Sequence, residues 1–266
     1  MNMTKIYWSI GILLVMGPIG CSLESDTIVV PDVEDEFYIE LRETFSNNER
    51  GLQWRLRTIE SVGCEDAVIN YAFRRRPDQE LSLTINDIFA PSDCVPAEAP
   101  ATATVDVGPL EQGAYTLALA LRETVNRTGQ LIVGSDLIGI EVEEGGGIIP
   151  LRKTLRRIPD GSVWGYVNYK GADNMKPVAT EFIEGLQDLT LSQWLPDGHY
   201  GHFNSTDGGS NITFPGTEAP VNEVSTFQRQ LKPEEKTALV DLIQDYRETY
   251  QDSLELSVFN TAGEEW

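Results

Sequence analysis

PLEQGAYTLALAL, residues 109–121, is the stretch on which the fold turns. A proline and a glycine bracket a turn, and from Tyr115 onward the large apolar side chains recur at every second position, at Leu117, Leu119 and Leu121. A period of two puts that row on the buried face of a β-strand and leaves Thr116, Ala118 and Ala120 on the other. The same alternation runs upstream. Phe37, Ile39 and Leu41 alternate with Tyr38, Glu40 and Arg42, and Leu52, Trp54 and Leu56 alternate with Gln53, Arg55 and Arg57. Ala67, Ile69, Tyr71 and Phe73 mark a third strand, Leu81, Leu83 and Ile85 a fourth, and Ala103, Val105 and Val107 a fifth. A last strand is expected over 130–142. Seven short strands within about 105 residues, with no helical period among them, predict an antiparallel β-sandwich.

The turn at 109–115 resembles the corner before the sixth strand of immunoglobulin-like and fibronectin-like domains, where a tyrosine hydroxyl caps the backbone. The resemblance implies an immunoglobulin-like β-sandwich over residues 36–143 with Tyr115 at its corner. Cys64 and Cys94 depart from the antibody pattern, because they fall in loops after the second and fourth strands. A bridge between them would staple loops at one end of the sandwich.

Glu143-Glu144-Gly145-Gly146-Gly147 reads as a boundary, since three glycines supply no core and maximal backbone freedom. A linker is expected over 144–160. It contains LRKTLRR, residues 151–157, with four of the chain's 20 basic residues. Such a cluster either grips anionic headgroups or pairs with the protein's own carboxylates at the domain junction.

Beyond residue 160 the period changes. A strand at 162–169 precedes a helix at 177–187, where Val178, Phe182, Ile183 and Leu186 keep helical spacing after Pro177. Extended segments follow at 189–195 and 198–204, then a Gly, Ser and Pro-rich loop to residue 220 and a strand at 224–231. A second helix starts at Pro233, and its stripe is Leu239, Leu242, Ile243, Tyr246 and Tyr250. Residues 254–260 close the chain as a strand. This order resembles the split βαβ pattern (βαββαβ) of ferredoxin-like folds, which implies an α+β domain over 161–266 with two helices on one face of the sheet.

The N-terminus carries an address. Lys5 supplies a positive end, residues 6–16 (IYWSIGILLVM) an apolar core too short to span a bilayer, and Gly17 and Pro18 break it. Ile19-Gly20-Cys21 resembles the lipobox of bacterial lipoproteins, with Pro18 as a departure from the family's preferred leucine. The resemblance implies a signal peptide at 1–20 and an acylated, palmitate-bearing Cys21. It also implies an outer-membrane anchor, since Ser22 follows the cysteine where an inner-membrane protein would carry aspartate. Residues 21–35 then form an acidic tether spanning about 40 to 50 Å if extended. With Cys21 lipidated, Cys64 and Cys94 remain as an even pair in an oxidising compartment, worth roughly 3 to 4 kcal/mol as a disulfide.

A formal charge of −22 argues against nucleic acid, whose binding depends on Lys and Arg displacing counterions. No Gly-x-Ser-x-Gly elbow, phosphate loop or EF-hand spacing is present, and carboxylates are too abundant for any pair to be informative. A non-enzymatic binding or assembly subunit is therefore expected, without cofactor, and with a protein, peptide or glycan partner. Trp164, Tyr166, Trp194, Tyr200 and Phe203 are candidates for a sugar-stacking platform, with Asn204 and neighbouring polar groups bonding hydroxyls. Alternation places Trp164 and Tyr166 on a sheet face expected to be open, beside the 205–220 loop. The alternative is a metal-binding module or metal-dependent hydrolase at His199 and His202, with Asp197 or Asp207 as a further ligand.

Overall fold

In the N-terminal half the apolar phase of each alternating stretch faces the core, with Tyr71, Phe73 and Ala103 only partly buried. β1 (Asp35–Ser46), β2 (Glu49–Thr58), β3 (Val68–Arg75), β4 (Glu80–Phe89), β5 (Thr102–Gly108) and β6 (Gly113–Leu121) lie where the period of two puts them. The computed structural model describes residues 35–122, 125–169, 173–215, 224–251 and 253–266. The expected signal peptide, Cys21 and the tether to residue 34 lie outside the described residues, as do 216–220 of the expected loop.

The strand expected over 130–142 is two strands, β7 (Val125–Val133) and β8 (Leu137–Val142), paired as an antiparallel hairpin. Gly134-Ser135-Asp136 turns the chain between them, and the Gly134 N–H donates to the Leu137 carbonyl at 2.9 Å. The expected linker also carries two strands, β9 (Gly147–Pro150) and β10 (Thr154–Arg156). Its Ile148, Leu155 and Ile158 are buried, so these residues join the core instead of spanning solvent.

All ten strands form one sheet, in the order β10-β8-β7-β6-β4-β3-β5-β2-β1-β9. Its two edge strands are consecutive in the chain, separated only by residues 151–153, at most about 14 Å of extended backbone. The sheet therefore curls until its edges come near each other. Inside lie Trp54, Leu56, Leu83, Leu119 and Ile140, with Trp54 edge-on to Phe73 at 5.4 Å. Tyr115 is buried and its hydroxyl donates to the Glu111 carbonyl at 3.1 Å, capping the corner. Cys64 and Cys94 stand at disulfide distance, with Cα atoms 5.8 Å apart.

The C-terminal half builds a second sheet. β11 (Ser162–Asn168) leads to α1 (Lys176–Leu189) and to a two-residue strand, β12 (Thr190–Leu191). A small sheet follows, made of β13 (Gly198–His199), β14 (Asn204–Thr206) and β15 (Asn211–Thr213). β16 (Val224–Leu231), α2 (Lys236–Tyr250) and β17 (Glu255–Asn260) complete the chain, with a 3₁₀ turn at Pro233–Glu235 before α2. The four-stranded sheet has the order β12-β16-β11-β17, each strand antiparallel to its neighbours. Val163 and Val167 meet Phe182, Leu186, Leu239 and Ile243 on the face that the helices cover. Among the described residues, no helix is long and apolar enough to cross a membrane.

The opposite face, expected open, is closed. Trp164 packs with Ile158, Leu195, Tyr200, Phe203 and Ile212 in a third core, capped by Phe45 near the end of β1. Sequence periodicity identifies which side chains share a face, but not that the β13–β15 unit folds back over it. A polar knot joins the halves beside this core. Glu43, 1% exposed, accepts from Arg157 Nε at 2.8 Å, from Arg50 Nη1 at 3.2 Å and from the Ile158 N–H at 3.2 Å. Nearby, the Asn48 N–H donates to the Ala262 carbonyl, and Gly263 (φ +85) sits so close to Phe45 that a Cβ would meet its carbonyl oxygen at 2.5 Å.

Candidate functional site

Between β12 and β13 the chain runs without regular structure, and there it presents Trp194. At 74% exposure this is the most exposed large apolar side chain among the described residues. Its neighbour Leu195 is buried and donates its N–H to the Gly208 carbonyl at 3.0 Å, which fixes the backbone beneath the indole. The opposing turn is equally constrained. The Gly208 N–H donates to Asp197 Oδ1 at 3.0 Å, and Asn211 Nδ2 donates to Asp207 Oδ2 at 2.8 Å. Gly208 holds φ at +68, and a Cβ there would stand 2.7 Å from Trp194 Nε1. The indole edge thus rests on a glycine in a conformation that favours glycine.

Trp194 forms one wall of a cleft of about 350 Å³, whose other groups include Ser192, Asp207, Ser210 and Gln228. Gln193, also lining it, accepts from Gln228 Nε2 on its Oε1, and the single hydroxyl proton of Ser162 is shared between that oxygen at 2.9 Å and the Pro159 carbonyl at 2.7 Å. Gln228 is 7% exposed, and its own Oε1 is buried with no donor among the described residues. The cleft combines an exposed aromatic wall with polar side chains along its rim.

The other sequence candidates lie elsewhere. Trp164 is 1% exposed, ringed by Phe45, His202, Phe203 and Phe259 at centroid distances of 5.3 to 6.2 Å. Tyr200 stacks on Phe203 at 5.1 Å and donates to the Pro196 carbonyl at 2.9 Å, and burial pushes its pKa up to about 12. Tyr166 is buried, edge-on to Phe214. Asn204 is half-buried, with Oδ1 2.9 Å from His199 Nδ1. A ring whose surface is spent on neighbouring rings has no face for a ligand, so of these residues Trp194 alone offers one.

His202 has both ring nitrogens engaged within the protein. An arginine can only donate, so Arg42 Nη2 at 2.9 Å makes His202 Nδ1 the acceptor, and Nε2–H then donates to the Glu43 carbonyl at 2.8 Å. Burial, aided by the charge of Arg42, pushes the His202 pKa down to about 3. Burial also lowers His199, whose Nε2 lies 3.4 Å from Glu40 Oε1. Asp197 and Asp207 are used in fixing the Gly208 turn. Among the described residues, no three His, Cys, Asp or Glu side chains converge where a metal could sit.

A feature that sequence reasoning missed is a groove of about 640 Å³ on the outer face of β1, β2 and β5, where Arg55, Arg57 and Arg152 come together. Strand alternation alone places Arg55 and Arg57 on that face; only the curl of the sheet adds Arg152, which pairs with Glu40 at 2.7 Å. The basic cluster is largely engaged internally, since Arg156 Nε also donates to the Asp197 carbonyl and Arg157 holds Glu43. No family model matches the chain, and neither a curated protein nor a solved structure is significantly similar to it.

Proposed function

We propose that the chain is an outer-membrane lipoprotein, anchored through acylated Cys21, that acts as a non-enzymatic binding or assembly subunit for a protein, peptide or glycan partner. The observation that carries the reading is Trp194, a 74% exposed indole beside a polar cleft, on backbone held by the Leu195–Gly208 hydrogen bond. Water contact on so large an apolar ring is unfavourable, and an aromatic beside a cleft is where binding sites concentrate affinity. The anchor is supported by cysteine arithmetic, because Cys64 and Cys94 stand within disulfide reach and leave Cys21 as the odd one.

The finer fold assignments belong to the same proposal. The immunoglobulin-like reading of 36–143 draws support from the Tyr115 corner bond. The ferredoxin-like reading of 161–266 draws support from the order β12-β16-β11-β17 with both helices on one face, β13–β15 being an insertion between the second and third strands of that pattern. The test is native purification from membranes with identification of co-eluting material. The wild-type chain is expected to fractionate with membranes and Cys21→Ala to be released, and Trp194→Ala is expected to lose its co-eluting partner while remaining folded. A Cys21→Ala chain that stays membrane-bound, or a partner retained by Trp194→Ala, would overturn the corresponding half of the proposal.

A further inference from the structure

We infer that the groove on the outer face of β1, β2 and β5 binds a small molecule with two anionic groups, phosphates or carboxylates, gripped by Arg55, Arg57 and Arg152. The groove shares no residue with the Trp194 cleft, so the two sites stand or fall separately. Strand register builds its floor. Tyr38 pairs with Arg57 and Arg57 with Thr102, while Glu40 pairs with Arg55 and Arg55 with Thr104. Direct cross-strand partners share a face, so the floor carries two rungs, each an arginine beside a threonine hydroxyl. The rungs lie two residues apart along β2, about 7 Å. Arg152 joins them from the segment after β9, and Asn204 from β14.

The lining is rich in donors and poor in acceptors. Three guanidiniums, which can only donate, face one carboxylate, in a chain with 42 acidic and 20 basic residues. That carboxylate, Glu40, is taken. Arg152 Nη1 stands 2.7 Å from its Oε1, and His199 Nε2 stands 3.4 Å from the same oxygen. Arg57 is the decisive group, because it is exposed and no acceptor among the described residues takes its protons. Its guanidinium lies over the Tyr38 ring, 4.9 Å from the centroid. Stacking fixes the guanidinium plane and leaves the N–H edges for a planar or tetrahedral oxyanion, which they can grip in pairs.

Size selects a small ligand over an anionic membrane. A volume of about 640 Å³ lies inside the range for small-molecule sites, about 300 to 1,000 Å³. At physiological ionic strength fields fade over about 8 Å, so a small anion in the groove responds to the guanidiniums lining it. A bilayer laid on this face would also meet exposed carboxylates, such as Asp106 in the outward phase of β5 and Glu60 just past β2.

Calorimetry on the full chain in detergent tests this with pyrophosphate, citrate, inorganic phosphate and, as a neutral probe, glucose. Pyrophosphate or citrate is expected to bind below millimolar, inorganic phosphate at least tenfold more weakly, and glucose not at all. The tighter of the first two tells phosphates from carboxylates as the preferred groups, and either result supports the inference. Arg57→Gln is expected to weaken binding about tenfold, with Arg57→Lys in between, since lysine keeps the charge and loses the fork. Arg74 is exposed on β3 and does not line the groove, so Arg74→Gln should leave affinity unchanged. No binding by either multivalent anion, phosphate as tight as both, or an equal loss in Arg74→Gln would overturn the inference. Vesicle flotation compares the wild-type chain with Arg57→Gln on phosphatidylglycerol and phosphatidylcholine, so that any lipid anchor common to both cancels. No difference is expected; flotation on phosphatidylglycerol that depends on Arg57, without binding of a soluble anion, would overturn the small ligand in favour of a membrane. Far-ultraviolet circular dichroism of each variant separates loss of fold from loss of contact.

Discussion

Glu43 occupies the inward phase of Phe37, Ile39 and Leu41, a carboxylate where a hydrophobic residue would be expected, and it is 1% exposed. Two guanidiniums and a backbone N–H satisfy it. Removing one partner from a buried charged pair leaves the others uncompensated, so Glu43→Ala should lose about 3 to 5 kcal/mol in urea unfolding. The neighbouring His202 makes a pH-dependent contribution. Its folded pKa is about 3 against an ordinary 6.5, so between those values the unfolded chain binds more protons than the folded one. Stability should fall as pH drops from about 6.5 to about 3, by a few kcal/mol at most, and stay flat above that window. His202→Gln should flatten this part of the profile; an unchanged slope would show that another group causes it. Both residues carried a legible signal, a charge or imidazole out of step with its surroundings. Their partners did not, because Glu43 and Arg157 lie 114 positions apart.

Among the elements, the turn under Trp194 is the most exacting. Gly208→Ala adds backbone strain at φ +68 and drives a Cβ into the indole. It should cost about 1 to 3 kcal/mol and shift the Trp194 fluorescence while far-ultraviolet circular dichroism is retained. The strands and both helices were legible because each has one consistently buried face, so its period survives in the sequence. Short strands were not: β9, β10 and β15 are three or four residues long, too few to establish a period, and of the extended segments expected at 189–195 and 198–204 only residues 190–191, 198–199 and 204 are strand. The candidate site was half legible for the same reason. Trp194 and Asp207 were identifiable by residue type, whereas Gln228 sits inside a strand as an ordinary polar residue. The exposure that separates Trp194 from Trp164 and Tyr200 depends on the small sheet folding over the other two.

For the whole molecule, the described residues form three cores where the glycine boundary and the change of period predict two domains. The third mixes Trp164 of β11 with Phe45 of β1, so opening the junction would wet aromatic rings from both halves. Urea unfolding is therefore expected as one transition, coincident by tryptophan fluorescence and circular dichroism. Two separated transitions would show that the halves are stabilised independently. Trp164→Ala should cost about 3 to 5 kcal/mol and, by weakening the shared core, pull such transitions apart.

The two edge strands of the large sheet are neighbours in sequence, and β1 waits more than a hundred residues for β9. A nascent chain that has emerged only as far as residue 143 therefore displays two bare rows of backbone amides and carbonyls, on β1 and on β8, each able to recruit a strand from another copy. The next dozen or so residues cap both rows nearly at once. Synthesis of 147–156 is thus the moment at which the N-terminal half exchanges two long bare edges for edges of four and three residues, and any truncation between β8 and β10 would leave a long one exposed.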